Sequence, residues 1–328
     1  MEIANNLWIE KFRPKKFENL VLPDTYKKEF QYYIDEKELG NLLFSGPPGS
    51  GKTTLARILC SKNGVIQYKN DNVLFVNGSA KETRNIGFVH SVIEPFLKIP
   101  PAGNDKYKVV FIDEVDQFTS DGFLALRGII EKYHEKYGRF LFTCNYISKV
   151  PEAVQSRFTS YTFQQIPKNF VLSYCKKILE LEKIEYDDDK NIHFIINNLY
   201  PDIRKIVNVL QRCSITKKLI VDEKSVTTTE KIILSSVVEI VSSIEKDDKH
   251  KLGKSVNSII ELLSKHDIEF RGIYTNLFFM KNLPIPAKII VNKKANEHQN
   301  CLIPHMHFMS MVFEIIKALQ DYKWMLTK

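Results

Sequence analysis

The sequence predicts an α/β domain, in which a parallel sheet carries helices on both faces, followed by a small helical domain and an all-helical third domain. Short apolar runs alternate with amphipathic stretches from residue 41 to about residue 165, which is the pattern of such a sheet. After Pro167 the strand pattern fades and apolar residues recur at helical spacing. The 328 residues, of which 44% are hydrophobic, are enough for two or three domains with substantial cores.

Each element is predicted from the spacing of its apolar residues and from the turn residues around it. The predicted strands are residues 42–45, 73–77, 108–112, 140–143 and, as a weaker fifth, 161–163. The predicted helices of the first two domains are residues 53–61, 86–96, 122–133, 170–181, 191–199 and one that begins after the N-cap residue Asp202. The predicted domains are residues 1–166, 167–229 and 230–328, and the third contains a polar break at residues 245–251.

Composition and cysteine spacing argue against several classes of protein. The chain has 47 Lys and Arg residues against 39 Asp and Glu residues, and a net charge of +8 suits a polyanionic partner without requiring one. The five scattered cysteines predict a reducing, intracellular location without a zinc or disulfide framework. The first residues lack the apolar core of a secretory signal, and no apolar run is long enough to span a membrane. His305 and His307 lack the acidic neighbours that would favour a metal site.

The stretch from Gly46 to Thr53 reads Gly-Pro-Pro-Gly-Ser-Gly-Lys-Thr and fits the phosphate-binding pattern G-x-x-x-x-G-K-[ST]. It lies between a predicted strand and a predicted helix. Glycines let the backbone curl so that several N–H groups face one anion, and the helix that follows adds its positive N-terminal end. Lys52 would reach the β- and γ-phosphates, and Thr53 would bind Mg²⁺. The loop therefore predicts a nucleoside-triphosphate site, since an ordinary Gly/Pro loop would not need this order of residues.

Two adjacent carboxylates, Asp113 and Glu114, follow an apolar run about sixty residues after this loop. Neighbouring side chains of a strand point in different directions, so Asp113 can bind Mg²⁺ while Glu114 polarises the attacking water. The alternative is a pair of acids that only ends a strand. Asn145 follows the next apolar run, where an amide either orients the water or forms a turn, which Asn also favours.

Three further motifs carry a resemblance to a known family. They are Trp-Ile-Glu-Lys-Phe-Arg-Pro at residues 8–14, Gln-Ser-Arg-Phe at residues 155–158 and Tyr-Pro-Asp-Ile-Arg-Lys at residues 200–205. With the loop and the carboxylates, their order resembles the AAA+ clamp-loader ATPases, among them the small subunits of replication factor C and, more closely, the large clamp-loader subunits of T-even-type phages. The resemblance runs from Trp8 to the C-terminus and is specific to about residue 212. It implies a P-loop AAA+ domain, a helical lid domain and a helical collar domain.

The resemblance also implies roles for individual residues. The adenine contacts would be Ile9, Glu10, Lys11, Phe12 and Val21, and the phosphate contacts Gly49, Ser50, Gly51, Lys52, Thr53 and Thr54. Arg204 matches the lid arginine that senses the γ-phosphate. Arg157 matches the arginine finger that completes the site of a neighbouring subunit; taken alone, it would be an ordinary surface arginine. A guanidinium beside the transferring phosphoryl group contributes ~10³–10⁵ in rate in related NTPases.

Two positions depart from the family pattern. Phe158 stands where the motif usually has Cys, and we expect the finger to be kept because the position stays apolar. Gly128 stands where replication factor C tends to have a second arginine, while Arg127, which in the family helps to link adjacent sites, is present. Glycine weakens a helix interior by roughly 1 kcal/mol relative to alanine.

Lys81, Arg84 and Lys149 are candidates for contact with a DNA backbone. Lys81 and Arg84 precede a predicted helix, at the place where the resemblance implies that helix N-termini lie along the phosphates. Each of the three is equally well explained as a solvated loop charge. No set of base-reading side chains is visible, as expected of a protein that acts at any primer end.

The sequence therefore favours an ATPase subunit of a sliding-clamp loader, with ATP and Mg²⁺ as ligands. The expected partners are the sliding clamp, primer–template DNA and other loader subunits in a hetero- or homo-oligomeric ring, for which the resemblance implies five subunits. The expected location is the cytoplasm or the replication fork, or the host cytoplasm for a viral chain. The alternatives are another AAA+ remodeller or helicase loader, and a ring scaffold that binds ATP without hydrolysing it.

Overall fold

The structure is a computed structural model that describes residues 7–67, 69–222, 226, 229–265, 268, 270–298 and 301–326. The chain divides into two compact units, residues 1–220 and residues 221–328. The predicted boundary between the second and third domains falls next to residues 227–228, which lie outside the described residues. The three-domain division stays a prediction.

The first unit contains a five-stranded sheet with the strand order β2-β3-β4-β1-β5, in which all neighbouring strands are parallel. The strands are β1 (Leu42–Ser45), β2 (Val73–Asn77), β3 (Lys108–Asp113), β4 (Gly138–Cys144) and β5 (Thr159–Thr162). All five predicted strands are present. Strand β5 begins before its apolar run because Thr159 and Ser160, although exposed, pair with β1 at the sheet edge.

Alternate residues of the central strands supply two separate cores, one on each face of the sheet. Leu42 and Phe44 of β1 pack on one face with Phe30 and Leu55, whereas Leu43 belongs to the core of the opposite face. This arrangement follows from the two-residue period of a strand. It confirms the predicted parallel sheet with helices on both faces.

The helices of the first unit lie before, between and after the strands. They are Trp8–Lys11, Asp24–Asp35, Lys52–Leu59, Lys69–Asn72, Ile86–Phe88 with its π-helical continuation Val89–Ile93 and then Glu94–Lys98, Ser120–His134, Glu152–Gln155, Lys168–Leu181, Lys190–Leu199 and Ile203–Cys213. Short 3₁₀ turns are Phe17–Asn19, Val115–Gln117 and Ile147–Lys149. Asp202 caps the helix Ile203–Cys213 as predicted, because its side chain accepts a hydrogen bond from the Lys205 N–H at 3.1 Å.

The second unit is helical throughout the elements that the structure describes. Its helices are Thr229–Lys246, Lys249–Lys265, Phe270–Phe279, Ile285–Glu297 and Pro304–Leu326. The predicted polar break contains the turn between the first two of these helices. A core that includes Ile240, Ile259, Val291 and Phe308 is shared among the helices. No helix in the described ranges combines the length and the apolarity that a membrane span requires.

Candidate functional site

The carboxyl ends of three neighbouring strands bring the predicted catalytic residues to one edge of the sheet. In the strand order β3-β4-β1, Ile112 pairs with Phe142, and Ser45 pairs with Cys144. Asp113, Asn145 and the phosphate loop, which follow directly, therefore leave the sheet side by side. Ligands of open parallel sheets bind beyond this edge, in the crevice where the strand order reverses.

The phosphate loop owes its shape to three glycines with positive φ. The φ angles are 145° at Gly46, 79° at Gly49 and 95° at Gly51, a region that side chains with a Cβ rarely adopt. A Cβ on Gly46 would also lie 2.3 Å from the carbonyl oxygen of Phe163. Gly51 is the N-cap of the helix Lys52–Leu59, so the open N–H groups of that helix face the loop.

Lys52 crosses the inside of the loop. Its Nζ donates to the carbonyl oxygens of Gly46 and Pro47, both at 2.8 Å, and to Asn145 Oδ1 at 3.2 Å. Burial lowers the pKa of Lys52, and the negative charges of Asp113 and Asp116 act in the opposite direction. Among the described residues, its hydrogen-bond acceptors are neutral oxygens, so the ammonium can exchange them for an anion.

Asp113 is the centre of a hydroxyl cluster. Its Oδ1 accepts hydrogen bonds from Thr53 Oγ1 at 2.9 Å and from Thr143 Oγ1. Thr143 Oγ1 in turn accepts from the backbone N–H of Glu114 at 3.1 Å. Glu114 has a left-handed backbone conformation, with φ 58° and ψ 46°, directly after β3. The Thr143 hydroxyl therefore links both Asp113 and Glu114 to the end of β4.

Thr53 and Asp113 are suited to Mg²⁺, which prefers hard oxygen ligands and usually keeps several water or phosphate oxygens. A hydroxyl and a carboxylate oxygen lie 2.9 Å apart, close enough for one small cation to bind both. Among the described residues, no group of three or more His, Cys, Asp or Glu side chains could hold a metal ion. The chain therefore offers an incomplete magnesium shell of the kind that phosphate oxygens complete.

One cavity of about 270 Å³ unites the loop, the strand ends and the first helix of the chain. Its polar wall includes Ser50, Lys52, Thr53, Thr54, Asp113, Glu114, Thr143, Asn145 and Arg204. Its apolar wall includes Ile9, Leu20, Val21, Leu22, Ile166, Phe170 and Val171. A polar end that binds phosphates beside an apolar slot is the arrangement that a nucleotide requires.

The predicted adenine contacts separate into two groups. Ile9 and Val21 line the cavity. Glu10, Lys11 and Phe12 are not among its lining residues: Glu10 pairs with Arg13, Lys11 pairs with Glu182 at 2.6 Å, and the Phe12 carbonyl oxygen accepts from Tyr174. The contacts with Glu182 and Tyr174 hold the helix Trp8–Lys11 against the helix Lys168–Leu181 and its C-cap residue Glu182.

Arg204 lines the cavity from the first turn of the helix Ile203–Cys213. Burial is the main cause of the lowered pKa of Lys52, and the positive charge of Arg204 adds a smaller effect in the same direction. Two cations facing one cavity repel each other until an anion lies between them. Arg204 therefore lies at the cavity, and its role as a sensor of the γ-phosphate stays a prediction.

Arg157 lies outside the set of residues that line the cavity. Its side chain pairs with Glu131 on the helix Ser120–His134. The ring of Phe158, which follows it, stacks on Phe142 with 4.6 Å between centroids. Phe158 thus anchors the segment to the core from the position where the family usually has Cys.

The three DNA candidates lie apart from the cavity lining. Lys81 is exposed, and the carbonyl oxygen of Arg84 accepts hydrogen bonds from Thr119. Lys149 is exposed, with its Nζ 5.1 Å from the centroid of the Tyr146 ring. Their contact with DNA stays a prediction.

The sequence interpretation missed two buried partners of the site. Thr143 lies on β4, two positions before Asn145, which directly follows the strand, so the two-residue period was a signal for placing both on one side. Asp116 lies in the turn after β3, where its Oδ2 accepts from the Tyr146 N–H at 3.3 Å. Within the described chain, Asp116 Oδ1 has no hydrogen-bond partner. The signal in the sequence was a third acidic residue close to Asp113 and Glu114, in the order Asp-Glu-Val-Asp at residues 113–116.

Comparison with known proteins agrees with this geometry. The family model "ATPase family associated with various cellular activities (AAA)" matches residues 42–166. A replication factor C small subunit of Methanothermobacter thermautotrophicus is 32% identical over 256 residues, 78% of this chain and 74% of that protein. Another, of Sulfurisphaera tokodaii, is 35% identical over 216 residues, 66% of this chain and 64% of that protein.

The matched stretch covers slightly less than two thirds of the length of the Sulfurisphaera tokodaii protein (64%) and of a Pyrobaculum islandicum small subunit (66%). Among solved structures, the RuvB Holliday junction branch migration motor of Thermotoga maritima has a TM-score of 0.51 and 19% sequence identity. That match covers 81% of this chain and 85% of the RuvB chain. At this identity the likeness concerns the fold alone.

Proposed function

Because this chain belongs to the replication factor C small-subunit family of AAA ATPases, we propose that it is an ATPase subunit of a sliding-clamp loader. It binds ATP with Mg²⁺ and assembles with other subunits into a ring, for which we propose five members. ATP binding lets the ring open the sliding clamp, and primer–template DNA triggers hydrolysis and release of the clamp. The protein would act at the replication fork.

One observation carries the proposal. Lys52, Asp113 and Asn145 come from three separate strand ends and join Glu114 and Arg204 around the same cavity. A chain that only bound ATP would not need a carboxylate and an amide next to the loop lysine. The full set supports a hydrolytic subunit.

The chain's own residues divide the work of hydrolysis. Lys52 binds the β- and γ-phosphates, and Arg204 binds the γ-phosphate from the helical segment. Glu114 accepts a proton from the attacking water, while Asn145 holds that water in line. Mg²⁺, held by Thr53 and Asp113, would neutralise charge on the phosphate oxygens. Val21 and Ile9 support the adenine.

Arg157 acts in the site of the neighbouring subunit. It lies outside the lining of its own cavity, so its guanidinium serves the reaction only when a second chain brings its ATP close. The positive charge then stabilises the phosphoryl group during transfer, an effect of ~10³–10⁵ in related NTPases. This arrangement would couple hydrolysis to assembly of the ring. Lys81, Arg84 and Lys149 would contact the DNA backbone, which carries no sequence information.

ATP turnover of the full-length chain, purified with the subunits that assemble with it, tests the proposal. We expect primer–template DNA and the sliding clamp from the same source to raise turnover several-fold together. Glu114→Gln should lower turnover by ~10²–10⁴ because it removes the general base, and ATP affinity should stay within about twofold.

Two results would contradict the proposal in different ways. Stimulation by a protein substrate, with none by DNA and clamp, would indicate a remodeller or helicase loader. Unchanged turnover in Glu114→Gln would remove the catalytic assignment and favour a scaffold that binds ATP.

A further inference from the structure

Acceptors of its own chain fix the direction of the Arg157 guanidinium. Its Nη2 donates to Glu131 Oε1, and its Nη1 donates to the carbonyl oxygen of Ala153 and to Ser156 Oγ at 3.3 Å. Arginine has a planar fork of donors, so contacts at both Nη atoms fix its plane. In the described part of the chain, Nε has no hydrogen-bond acceptor. The Nε edge thus remains available to an anion.

Glu131 is itself held from a second side. Its Oε1 accepts a hydrogen bond from Arg127 Nε at 3.2 Å, one helical turn earlier in the helix Ser120–His134. The hydrogen bond from Arg127, and then that from Arg157, lowers the pKa of Glu131, so the carboxylate is charged at neutral pH. One oxygen atom therefore joins a long helix to the finger segment.

This cluster contributes little to folding stability. The Glu131 side chain is 48% exposed, and exposed ion pairs are weak because water screens them. Their geometry is nevertheless specific, since one carboxylate oxygen accepts from two guanidinium groups. A cluster of this kind is better suited to orienting a side chain than to holding the fold together.

We propose that Glu131 is a positioning residue that holds Arg157 in the orientation in which its Nε edge reaches ATP bound to the neighbouring subunit. This inference rests on the proposed function. Without Glu131, Arg157 keeps its two contacts on its own segment but loses the contact that ties it to the helix Ser120–His134. The Arg157 guanidinium would then adopt several orientations, some of which do not contact the phosphates of ATP bound to the neighbouring subunit.

ATP turnover by the full-length chain, purified with the subunits that assemble with it and supplied with a synthetic primer–template duplex, tests this proposal. We expect Glu131→Ala to lower kcat about tenfold, a part of the full effect of an arginine finger. The KM for ATP should not change, because Glu131 does not line the nucleotide cavity. Glu131→Gln keeps an oxygen acceptor of the same reach and should retain at least half of the wild-type kcat.

Glu135→Ala is the matched control, since Glu135 follows the same helix and its loss removes the same charge. It should leave kcat unchanged. Glu131→Asp keeps the negative charge but shortens the side chain, so its carboxylate should not reach Arg157 and its kcat should fall as far as that of Glu131→Ala. This variant keeps the test valid if Glu131→Ala assembles poorly. Adding Glu131→Ala to Arg157→Ala should cause no further loss if the two residues act as one unit.

The outcomes separate this inference from the proposed function. A wild-type kcat in both Glu131→Ala and Glu131→Asp, together with a slow Arg157→Ala, would overturn the positioning role and leave the shared site standing. A wild-type kcat in Arg157→Ala would overturn both. A raised KM for ATP in Glu131→Ala would indicate a general disturbance of the fold and would also overturn the positioning role.

Discussion

At the scale of single residues, the proposed magnesium ligand Asp113 and the proposed general base Glu114 both contact one hydroxyl, that of Thr143. Thr143 Oγ1 donates to Asp113 Oδ1 and accepts from the Glu114 N–H, so one hydroxyl ties both residues to the end of β4. Its side chain is buried at the end of β4. Outer partners of this kind orient the groups that touch a metal and commonly contribute 10- to 100-fold to metal affinity or activity.

Thr143→Val keeps the shape of the side chain and removes its hydroxyl. We expect the magnesium concentration for half-maximal ATP turnover to rise by about tenfold, because Asp113 loses a fixed donor and the backbone N–H of Glu114 loses its acceptor. The measurement is a magnesium titration of ATP turnover. Thr143→Ser, which restores the hydroxyl, should return the midpoint to within about twofold of wild type. Equal midpoints for Thr143→Val and wild type would show that the hydroxyl does not support the site.

At the scale of elements, the sequence predicted the strands and the phosphate loop because their signals are local. The five apolar runs and the Gly46–Thr53 pattern each lie within a few neighbouring residues. Thr143, Asp116 and Glu131 were missed because their roles come from contacts across 26 to 30 positions, such as Thr143 with Asp113 and Glu131 with Arg157. Their residue types alone are ordinary for a strand end, a turn and a helix surface.

Substitution by alanine should change the free energy of unfolding in opposite directions at two glycines of the helix Ser120–His134. A Cβ at Gly128 would meet no atom within 4 Å, whereas a Cβ at Gly122 would lie 2.7 Å from the backbone oxygen of Arg84. Gly128→Ala should therefore stabilise the full chain by about 1 kcal/mol, because alanine loses less backbone freedom on folding. Gly122→Ala should destabilise it by about 1–3 kcal/mol, because backbone atoms must shift.

The measurement is urea unfolding of the full chain followed by far-UV circular dichroism, with the two variants compared at equal protein concentration. Destabilisation by Gly128→Ala would mean that the glycine has a conformational role within the helix.

At the scale of the whole molecule, nucleotide chemistry and the helical C-terminal region belong to different compact units. All residues that line the nucleotide cavity lie between Ile9 and Arg204, within the unit formed by residues 1–220. The unit formed by residues 221–328 has its own core and its own buried charge, Lys294, which lies 2.6 Å from Glu314. Stability changes in the second unit can therefore be tested separately from ATP binding.

Glu314→Gln should destabilise the second unit by about 1 kcal/mol. Removing one partner of a fully buried ion pair costs more, about 3–5 kcal/mol, but the Glu314 side chain is 42% exposed and water screens the pair. Glu297 lies farther from the Lys294 ammonium, at 3.8 Å, so Glu297→Gln is the matched control and should have a smaller effect. Hydrogen exchange of the helices Ile285–Glu297 and Pro304–Leu326 measures the difference.

The destabilisation caused by Glu314→Gln should become smaller as the pH falls. The hydrogen bond from Lys294 lowers the pKa of Glu314 from 4.5. The stabilisation is therefore fully present above about pH 4.5 and is lost as the pH falls through the lowered value in the folded state. The difference in exchange between wild type and Glu314→Gln should shrink over that range, while the affinity for ATP at neutral pH should be the same in both proteins. A tenfold loss of ATP affinity in Glu314→Gln would show that the charge pair in the second unit supports the nucleotide site in the first.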